Sequence, residues 1–100
     1  MIIVEVMIQK VYPGKWDTLT EIDKKFDAVE KRHGFPATKR MQSISGAYGL
    51  DTNVVMREWE SMAAFEAAYE SMFTDSEHEA LVEEVGSIIE SSRMELYSPR

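Results

Sequence analysis

The first residues of the chain contain the feature that most limits its fold. Residues 2–12, IIVEVMIQKVY, are apolar almost without a break, rich in Ile and Val, and followed by Pro13-Gly14. Such a run, bounded by turn residues, is typical of a β-strand that is buried on both faces. The chain is therefore expected to build a covered sheet, and 100 residues suit one domain spanning residues 1–100.

A helix is predicted directly after this strand. Between residues 15 and 33, apolar residues recur at intervals of three and four, with lysines and acidic residues between them. The stripe consists of Trp16, Leu19, Ile22, Phe26 and Val29, and Gly34 follows it. This spacing predicts an amphipathic helix over residues 15–33.

The middle of the chain has the pattern of a β-hairpin. The segments ATKRMQSISGAYG (37–49) and VVMREWE (54–60) have strand character, and the short polar stretch LDTN joins them. We therefore expect two antiparallel neighbouring strands.

Two helical patterns and one strand pattern complete the chain. Ser61 is a suitable N-cap for the first helix. A break at FTDSEHE is followed by a capping box of Ser76 and Glu79, which predicts a new helix or a sharp bend. The apolar positions of these segments are Phe65, Tyr69 and Met72, then Leu81, Val82, Val85, Ile88 and Ile89. RMELYS (93–98) closes the chain as a strand before Pro99.

The order β-α-β-β-α-β predicts an α+β, ferredoxin-like fold, in which one antiparallel four-stranded sheet carries both helices on the same face. In the first strand, Val4, Val6 and Ile8 are expected to face the helices. The other face is expected to carry Ile3, Glu5, Met7, Gln9 and Val11. This second set is too apolar to remain in water, so the sequence predicts a homodimer that joins two sheet faces.

Composition excludes several classes of function. The net charge of −7 disfavours nucleic acid as a partner. No apolar run approaches the ~20 residues of a membrane span, so we expect a cytoplasmic protein without a membrane partner. The chain has no cysteine, its two histidines lie in different predicted helices, and no phosphate-binding loop is present, so no metal or nucleotide site is expected.

A basic cluster lies around the Gly-Phe-Pro turn. Two interpretations stay open: a solvated helix end that complements the helix dipole, or a rim that attracts an anionic ligand. The cluster consists of Lys31, Arg32, His33, Lys39 and Arg40.

The junction REWESMAAFEAAYES, with Trp59, Glu60, Ser61 and Phe65, resembles a known group of proteins. Together with the element order, it is similar to the dimeric α/β-barrel superfamily, in particular its antibiotic-biosynthesis-monooxygenase-like and NIPSNAP-like groups, over essentially the whole chain. This resemblance implies a barrel formed by the two sheets of a dimer. It also implies a space between sheet and helices that can hold a small aromatic or apolar ligand.

Trp59 of that junction and His78 beyond it each have both a structural and a functional interpretation. Trp59 either closes the end of the core or lines the cavity and orients a planar ligand. His78, nineteen residues after Trp59, is near the position of the axial histidine in the haem-degrading members that the chain resembles. It is alternatively a partly buried, hydrogen-bonded residue.

The resemblance also points to a missing amide. Oxygenases of the superfamily commonly place an asparagine on the first strand or four residues before the junction tryptophan, where this chain has Val55. The only asparagine, Asn53, is expected in the hairpin loop or at the start of the third strand. The oxygenase interpretation is therefore the alternative rather than the first choice.

Arg57 shares a sheet face with Val55 and Trp59 because side chains alternate along a strand. A carboxylate partner is available in Glu5 or Glu95. Such a pair either neutralises buried charge, or Arg57 binds a substrate carboxylate or enolate while the carboxylate removes a proton.

Two functions follow from these patterns. The first is a homodimeric protein that binds a small apolar or aromatic molecule without a cofactor, through Met7, Val55, Trp59, Phe65 and Tyr97. The alternative is a small monooxygenase or isomerase, either cofactor-free or haem-dependent. Its candidate residues are Arg57, Trp59, His78 and Glu5, with His78 as the haem ligand.

Overall fold

The strands and helices follow one another along the chain in the predicted order. The structure is a computed structural model and describes residues 1–100. The elements are β1 (Ile3–Val11), α1 (Trp16–Arg32), β2 (Lys39–Gln42), β3 (Thr52–Trp59), α2 (Met62–Phe73), α3 (Ser76–Val85) and β4 (Ile89–Tyr97). All three strand pairings are antiparallel, and the sheet order is β2-β3-β1-β4. The α+β, ferredoxin-like fold is confirmed, with the second helical region divided into α2 and α3.

The core lies between one face of the sheet and the helices. The apolar stripe of α1 packs onto the sheet as its spacing predicts, with Leu19, Ile22 and Val29 buried. Residues from the other helices and from the strand ends complete the cluster, namely Ile3, Val11, Phe35, Trp59, Ala68, Met72, Leu81 and Ile88. No helix is both long enough and apolar enough to cross a membrane.

The two faces of β1 are the reverse of the predicted ones. Ile3 and Val11 belong to the core, and Glu5 is buried between them on the helix side. Val4, Val6 and Ile8 therefore lie on the open face of the sheet, and the prediction that they contact the helices is wrong. Alternation separates two sets of side chains, but only long-range contacts decide which set faces the helices.

The hairpin also differs from its prediction. β2 is limited to Lys39–Gln42, and residues 43–51 form a loop that is longer than LDTN. Within this loop Gly46 has a φ of 124°, which favours glycine, and Ser43 Oγ donates a hydrogen bond to the Tyr48 carbonyl at 2.8 Å. Because β3 begins at Thr52, Asn53 is the second residue of the strand and is buried.

The starts of α2 and α3 follow the capping rules, with one change of residue, whereas α1 has no side-chain cap. Ser61 caps α2 as predicted, because its Oγ accepts a hydrogen bond from the Ala64 N–H at 3.1 Å. The cap of α3 is Asp75, which accepts from the N–H groups of Glu77 and His78 at 2.9 and 3.4 Å. Ser76 is already helical, so the predicted Ser76 capping box is wrong. The Asp75 carboxylate accepts hydrogen bonds from both free N–H groups at the start of α3, and cations from outside this helix also bind it.

The end of α3 comes earlier than its apolar stripe suggests. The helix ends at Val85, with turns at Gly86 and Ser87, and β4 begins at Ile89 rather than at residue 93. Ile88 is bound to β1 through its carbonyl, which accepts from the Tyr12 N–H at 2.9 Å. The apolar side chains of Ile88 and Ile89 therefore belong to the connection into the sheet and to β4, and they do not continue the helix.

Candidate functional site

A buried polar cluster joins the centre of the sheet to the helices. Glu5 and Arg57 are register partners on β1 and β3, and both are buried. Arg57 Nε lies 3.2 Å from Glu5 Oε1. The same carboxylate accepts a hydrogen bond from Trp59 Nε1 at 2.8 Å and another from the Tyr69 hydroxyl. Every oxygen of this buried carboxylate therefore has a donor, which is the condition for burying a charge.

The far side of the Arg57 guanidinium meets a second carboxylate. Arg57 Nη1 and Nη2 lie 3.1 and 3.5 Å from the two carboxylate oxygens of Glu30 on α1. The guanidinium carbon lies 5.0 Å from the centre of the Phe35 ring. We call Glu5, Glu30 and Arg57 the Arg57 cluster. It contains two carboxylates and one cation, so the charge of Arg57 is already more than balanced.

Tyr69 acts in this cluster as a donor only. Burial, together with the hydrogen bond to Glu5, raises the pKa of Tyr69 well above its ordinary value. The hydroxyl therefore keeps its proton at neutral pH and cannot accept one from a ligand. Its role is to hold the Glu5 carboxylate in place.

A cavity of about 360 Å³ lies beside this cluster, between the sheet and the helices. This volume is at the lower end of the ≈ 300–1,000 Å³ that is usual for small-molecule sites. Its apolar walls are Met7, Phe26, Val55, Met72, Val82, Val85 and Ile89. Its polar lining consists of Gln9, Asp23, Glu30, Arg40, Arg57, Tyr69, His78, Glu90, Ser91 and Ser92. The cavity thus has a large apolar part and one polar wall.

A second ion cluster contributes Arg40 and Asp23 to the polar lining. Arg40 of β2 reaches two carboxylates of α1: its Nε lies 3.3 Å from Asp23 Oδ2, and its Nη2 lies 2.9 Å from Asp27 Oδ1. We call these three residues the Arg40 cluster. Burial raises the pKa of Asp23 to about 6, against the opposing effect of Arg40. Asp23 remains mostly ionised at neutral pH.

His78 lies in the first turn of α3 and lines the cavity. It is half-buried between two aromatic rings, with centroid distances of 5.9 Å to Phe26 and 6.4 Å to Phe73. Burial lowers the pKa of His78, so the imidazole is neutral at neutral pH. The imidazole makes no hydrogen bond, while the backbone N–H of His78 donates to Asp75 Oδ1 at 3.4 Å.

The other histidine belongs to a helix-docking network outside the cavity. His33 Nδ1 lies 2.7 Å from Ser71 Oγ, and His33 Nε2 lies 2.7 Å from Asp75 Oδ2. Arg32 also binds Asp75, at 3.0 Å, and these hydrogen bonds hold the pKa of the Asp75 carboxyl below its usual range. This part of the basic cluster therefore fastens the end of α1 to the start of α3.

The predicted site residues are divided by the structure. Met7, Val55, Arg57 and His78 line the cavity. Trp59 lies behind it in the core and packs edge-on against Phe65, with ring centroids 5.5 Å apart. Glu5 lies beneath the polar wall and is the carboxylate partner of Arg57.

Tyr97 and Glu95 are on the opposite face of the sheet. The Tyr97 hydroxyl donates to Glu95 at 2.8 Å, and Glu95 also pairs with Arg93 at 3.0 Å. The pairing of β1 with β4 places them opposite Val4 and Val6. Neither residue reaches the cavity, so Arg57 cannot use Glu95 as its partner within one subunit.

Several cavity residues were missed from the sequence. Asp23, Phe26 and Glu30 are spaced by three and four residues, which places all three on one side of α1. Acidic residues beside an apolar stripe were the available signal. Gln9 was also missed as a lining residue, although its amide lies at the cavity, where it accepts a hydrogen bond from Asn53 Nδ2 at 3.0 Å.

Comparison with known proteins supports the fold of this chain. No protein-family model and no curated protein sequence matches it. A NIPSNAP family protein from Agrobacterium tumefaciens is structurally similar, with a TM-score of 0.84, 19% identity and coverage of 100% of this chain and 94% of the other. An uncharacterised NIPSNAP domain protein from Burkholderia xenovorans has a TM-score of 0.82 at 15% identity, with coverage of 98% and 94%.

A third similar structure is an enzyme. SnoaB, a cofactor-independent oxygenase from Streptomyces nogalater, has a TM-score of 0.74 and 15% identity, with coverage of 99% of this chain and 93% of the other. The predicted resemblance to NIPSNAP-like and monooxygenase-like proteins is therefore confirmed at the level of the fold.

Proposed function

We propose that this protein is a homodimer in which each subunit binds one small, mainly apolar molecule between its sheet and its helices. The observation that carries this proposal is the cavity of about 360 Å³, whose apolar walls come from β1, β3, β4, α1, α2 and α3. Apolar walls with a few convergent polar groups are typical of small-molecule sites. The NIPSNAP-like fold supports such a space.

The contacts of Glu5 and Arg57 favour a structural role over catalysis for this pair. A general base needs a free proton-accepting atom within reach of the ligand. Glu5 is buried beneath the wall and receives donors from three side chains, while both sides of Arg57 are occupied by carboxylates. The Arg57 cluster therefore stabilises the wall of the cavity instead of activating a substrate.

A cofactor-free oxygenase is the second candidate function. One observation favours it: the Gln9 amide is at the cavity, its oxygen accepts from Asn53, and its nitrogen donates to Met7 Sδ at 3.1 Å, which leaves its second N–H for a ligand oxygen. The fold similarity to SnoaB supports the same idea. In this alternative, Gln9 supplies the cavity amide that an asparagine supplies in the oxygenases that the chain resembles.

Haem does not fit the residues that surround His78. An axial histidine usually has its second ring nitrogen fixed by a hydrogen bond, and the His78 imidazole has no such partner. The cavity wall also contains the carboxylates of Asp23 and Glu30, which would repel the carboxylate groups of a haem. We assign no role to haem in this cavity.

Filling the cavity should weaken binding of an apolar probe. We expect the uncharged dye N-phenylnaphthylamine to bind saturably, with one site per subunit and a rise in its fluorescence. Val85→Trp places an indole in the cavity and should weaken binding about tenfold or more, equivalent to about 1.4 kcal/mol. The measurement is a fluorescence titration of both proteins at equal concentration.

The matched control for this experiment is Ala80→Trp. Ala80 lies on the same helix, is exposed and does not line the cavity. Equal weakening in both variants, or unchanged binding in Val85→Trp, would show that the dye binds elsewhere and would remove the support for the cavity.

The homodimer is supported by the open face of the sheet. Seven apolar side chains occupy it without cover from any helix of the same chain: Val4, Val6, Ile8, Met41, Val54, Met56 and Tyr97. A continuous apolar face of this kind is typical of a protein interface. Two copies related by a two-fold axis would cover each other's faces and form a closed barrel.

A charge at the centre of the open face should dissociate this dimer. We expect the unchanged protein to have twice the 11.5 kDa mass of the chain in sedimentation experiments. Val6→Asp should run as a monomer, because burying an unpaired carboxylate costs about several kcal/mol. Thr18→Asp, on the exposed side of α1, adds the same charge and should remain dimeric. A monomeric unchanged protein would refute the proposed interface.

A further inference from the structure

The polar wall of the cavity contains more negative than positive charge. In the Arg57 cluster and in the Arg40 cluster, one guanidinium lies between two carboxylates, so each cluster has one negative charge in excess. His78 contributes no positive charge because burial lowers its pKa. The remaining acid of the lining, Glu90, is already paired with Lys10 at 3.0 Å. Asp27 is half-exposed and outside the cavity, so Asp23 balances Arg40 at the wall and the Arg57 cluster leaves one excess negative charge.

This imbalance decides which ligand charge the cavity can accept. An anionic ligand would add a second negative charge to this excess, and each guanidinium already lies between two carboxylates. Inside a partly desolvated cavity such repulsion is much stronger than in water. A cationic ligand instead supplies the charge that the wall lacks, and a neutral ligand leaves the imbalance unchanged.

Aromatic rings in the lining of the cavity also favour a cationic ligand. The Phe26 ring lies on the cavity wall next to Asp23 and Glu30, and the Tyr69 ring borders the Arg57 cluster. Aromatic rings beside carboxylates attract cations through the ring face and pack against planar apolar groups. We infer that the ligand is a protonated amine attached to an apolar, aromatic body. This inference rests on the proposed binding function.

Three naphthalene compounds with different charge test this inference directly. Naphthylmethylamine is cationic at neutral pH, naphthylmethanol is uncharged and naphthoate is anionic. We expect calorimetric titration of the intact protein to show the amine binding about tenfold more tightly than the alcohol, and naphthoate binding about tenfold more weakly than the alcohol. Higher salt should reduce these differences.

Removing one carboxylate should abolish the preference. Glu30→Gln deletes one excess negative charge and frees one side of Arg57. We expect the ratio of amine affinity to naphthoate affinity to fall about a hundredfold, that is, about tenfold for each ligand. Glu21→Gln is the control, because Glu21 lies on the same helix, pairs with Lys24 and is outside the cavity. Asp23→Asn is a second variant in case Glu30→Gln does not fold.

The outcomes separate this inference from the proposed function. Amine preference that falls in Glu30→Gln or Asp23→Asn, but not in Glu21→Gln, supports the inference. If naphthylmethanol binds and naphthoate binds as well as the amine, the cavity binds ligands but the amine inference is overturned. If none of the three compounds binds, both the proposed function and the inference fail.

Discussion

Replacing Arg57 with methionine is expected to lower the free energy of unfolding by about 3–5 kcal/mol, the usual cost of breaking a buried ion pair from one side. Arg57 is the only cation between Glu5 and Glu30. Without it, two carboxylates remain close together and Glu5 stays buried with only Trp59 and Tyr69 as donors. Urea unfolding at a fixed protein concentration measures the loss.

Two further variants show whether this loss comes from the buried carboxylates. Glu5→Gln and Glu30→Gln, added to Arg57→Met, remove both charges and should restore more than half of the lost stability. Lys24→Met breaks an exposed ion pair with Glu21 and should change stability by only about 0.5 kcal/mol. A similar small effect of Arg57→Met would contradict the description of the Arg57 cluster as the polar centre of the fold.

Trp59→Ala is expected to be similarly severe, lowering the free energy of unfolding by about 3–5 kcal/mol. Trp59 is one of the largest fully buried side chains and packs edge-on against Phe35 and Phe65, at centroid distances of 5.0 and 5.5 Å. Alanine would leave a cavity at the end of the sheet and remove one donor from the buried Glu5. Chemical unfolding combined with near-UV circular dichroism would measure this loss.

Trp59→Phe separates packing from hydrogen bonding. Phenylalanine keeps an aromatic ring but lacks the N–H that binds Glu5 at 2.8 Å, and a hydrogen bond to a charged group contributes about 1.5–3 kcal/mol. We expect an intermediate loss, clearly smaller than that of Trp59→Ala. Trp16→Phe, in the half-buried first turn of α1, should cost less than about 1 kcal/mol. Equal stability of Trp59→Phe and the unchanged protein would show that the indole N–H is dispensable.

The order of elements could be predicted from the sequence because the signals for it are local. The apolar stripe of α1, the Ser61 cap and the alternating strands each depend on residues that are close along the chain. The element limits were less accurate where two local signals competed. At α3, Ser76 and Asp75 are both good cap residues, and contacts of Asp75 with Arg32 and His33 decide between them.

The site was only partly predictable because local signals do not show which separate elements meet. The sequence indicated that Arg57 and Glu5 are candidates for a buried pair and that Val55 and Trp59 share a face with Arg57. It could not indicate that Asp23, Glu30 and Gln9 meet at the same cavity, because these residues come from separate elements. Tyr97 shows the opposite error: its aromatic character suggested a ligand contact, and strand pairing places it on the other face.

The sequence by itself determined the ferredoxin-like order of strands and helices, the apolar face of α1 and the need for partners for Glu5 and Arg57. The tertiary structure alone decided which face of β1 meets the helices and where the cavity forms. The physical reason is that the alternation of side chains along a strand separates them into two sets but does not show which set is buried. Glu5 can be buried only where Trp59, Tyr69 and Arg57 satisfy its carboxylate, and those donors come together through long-range contacts.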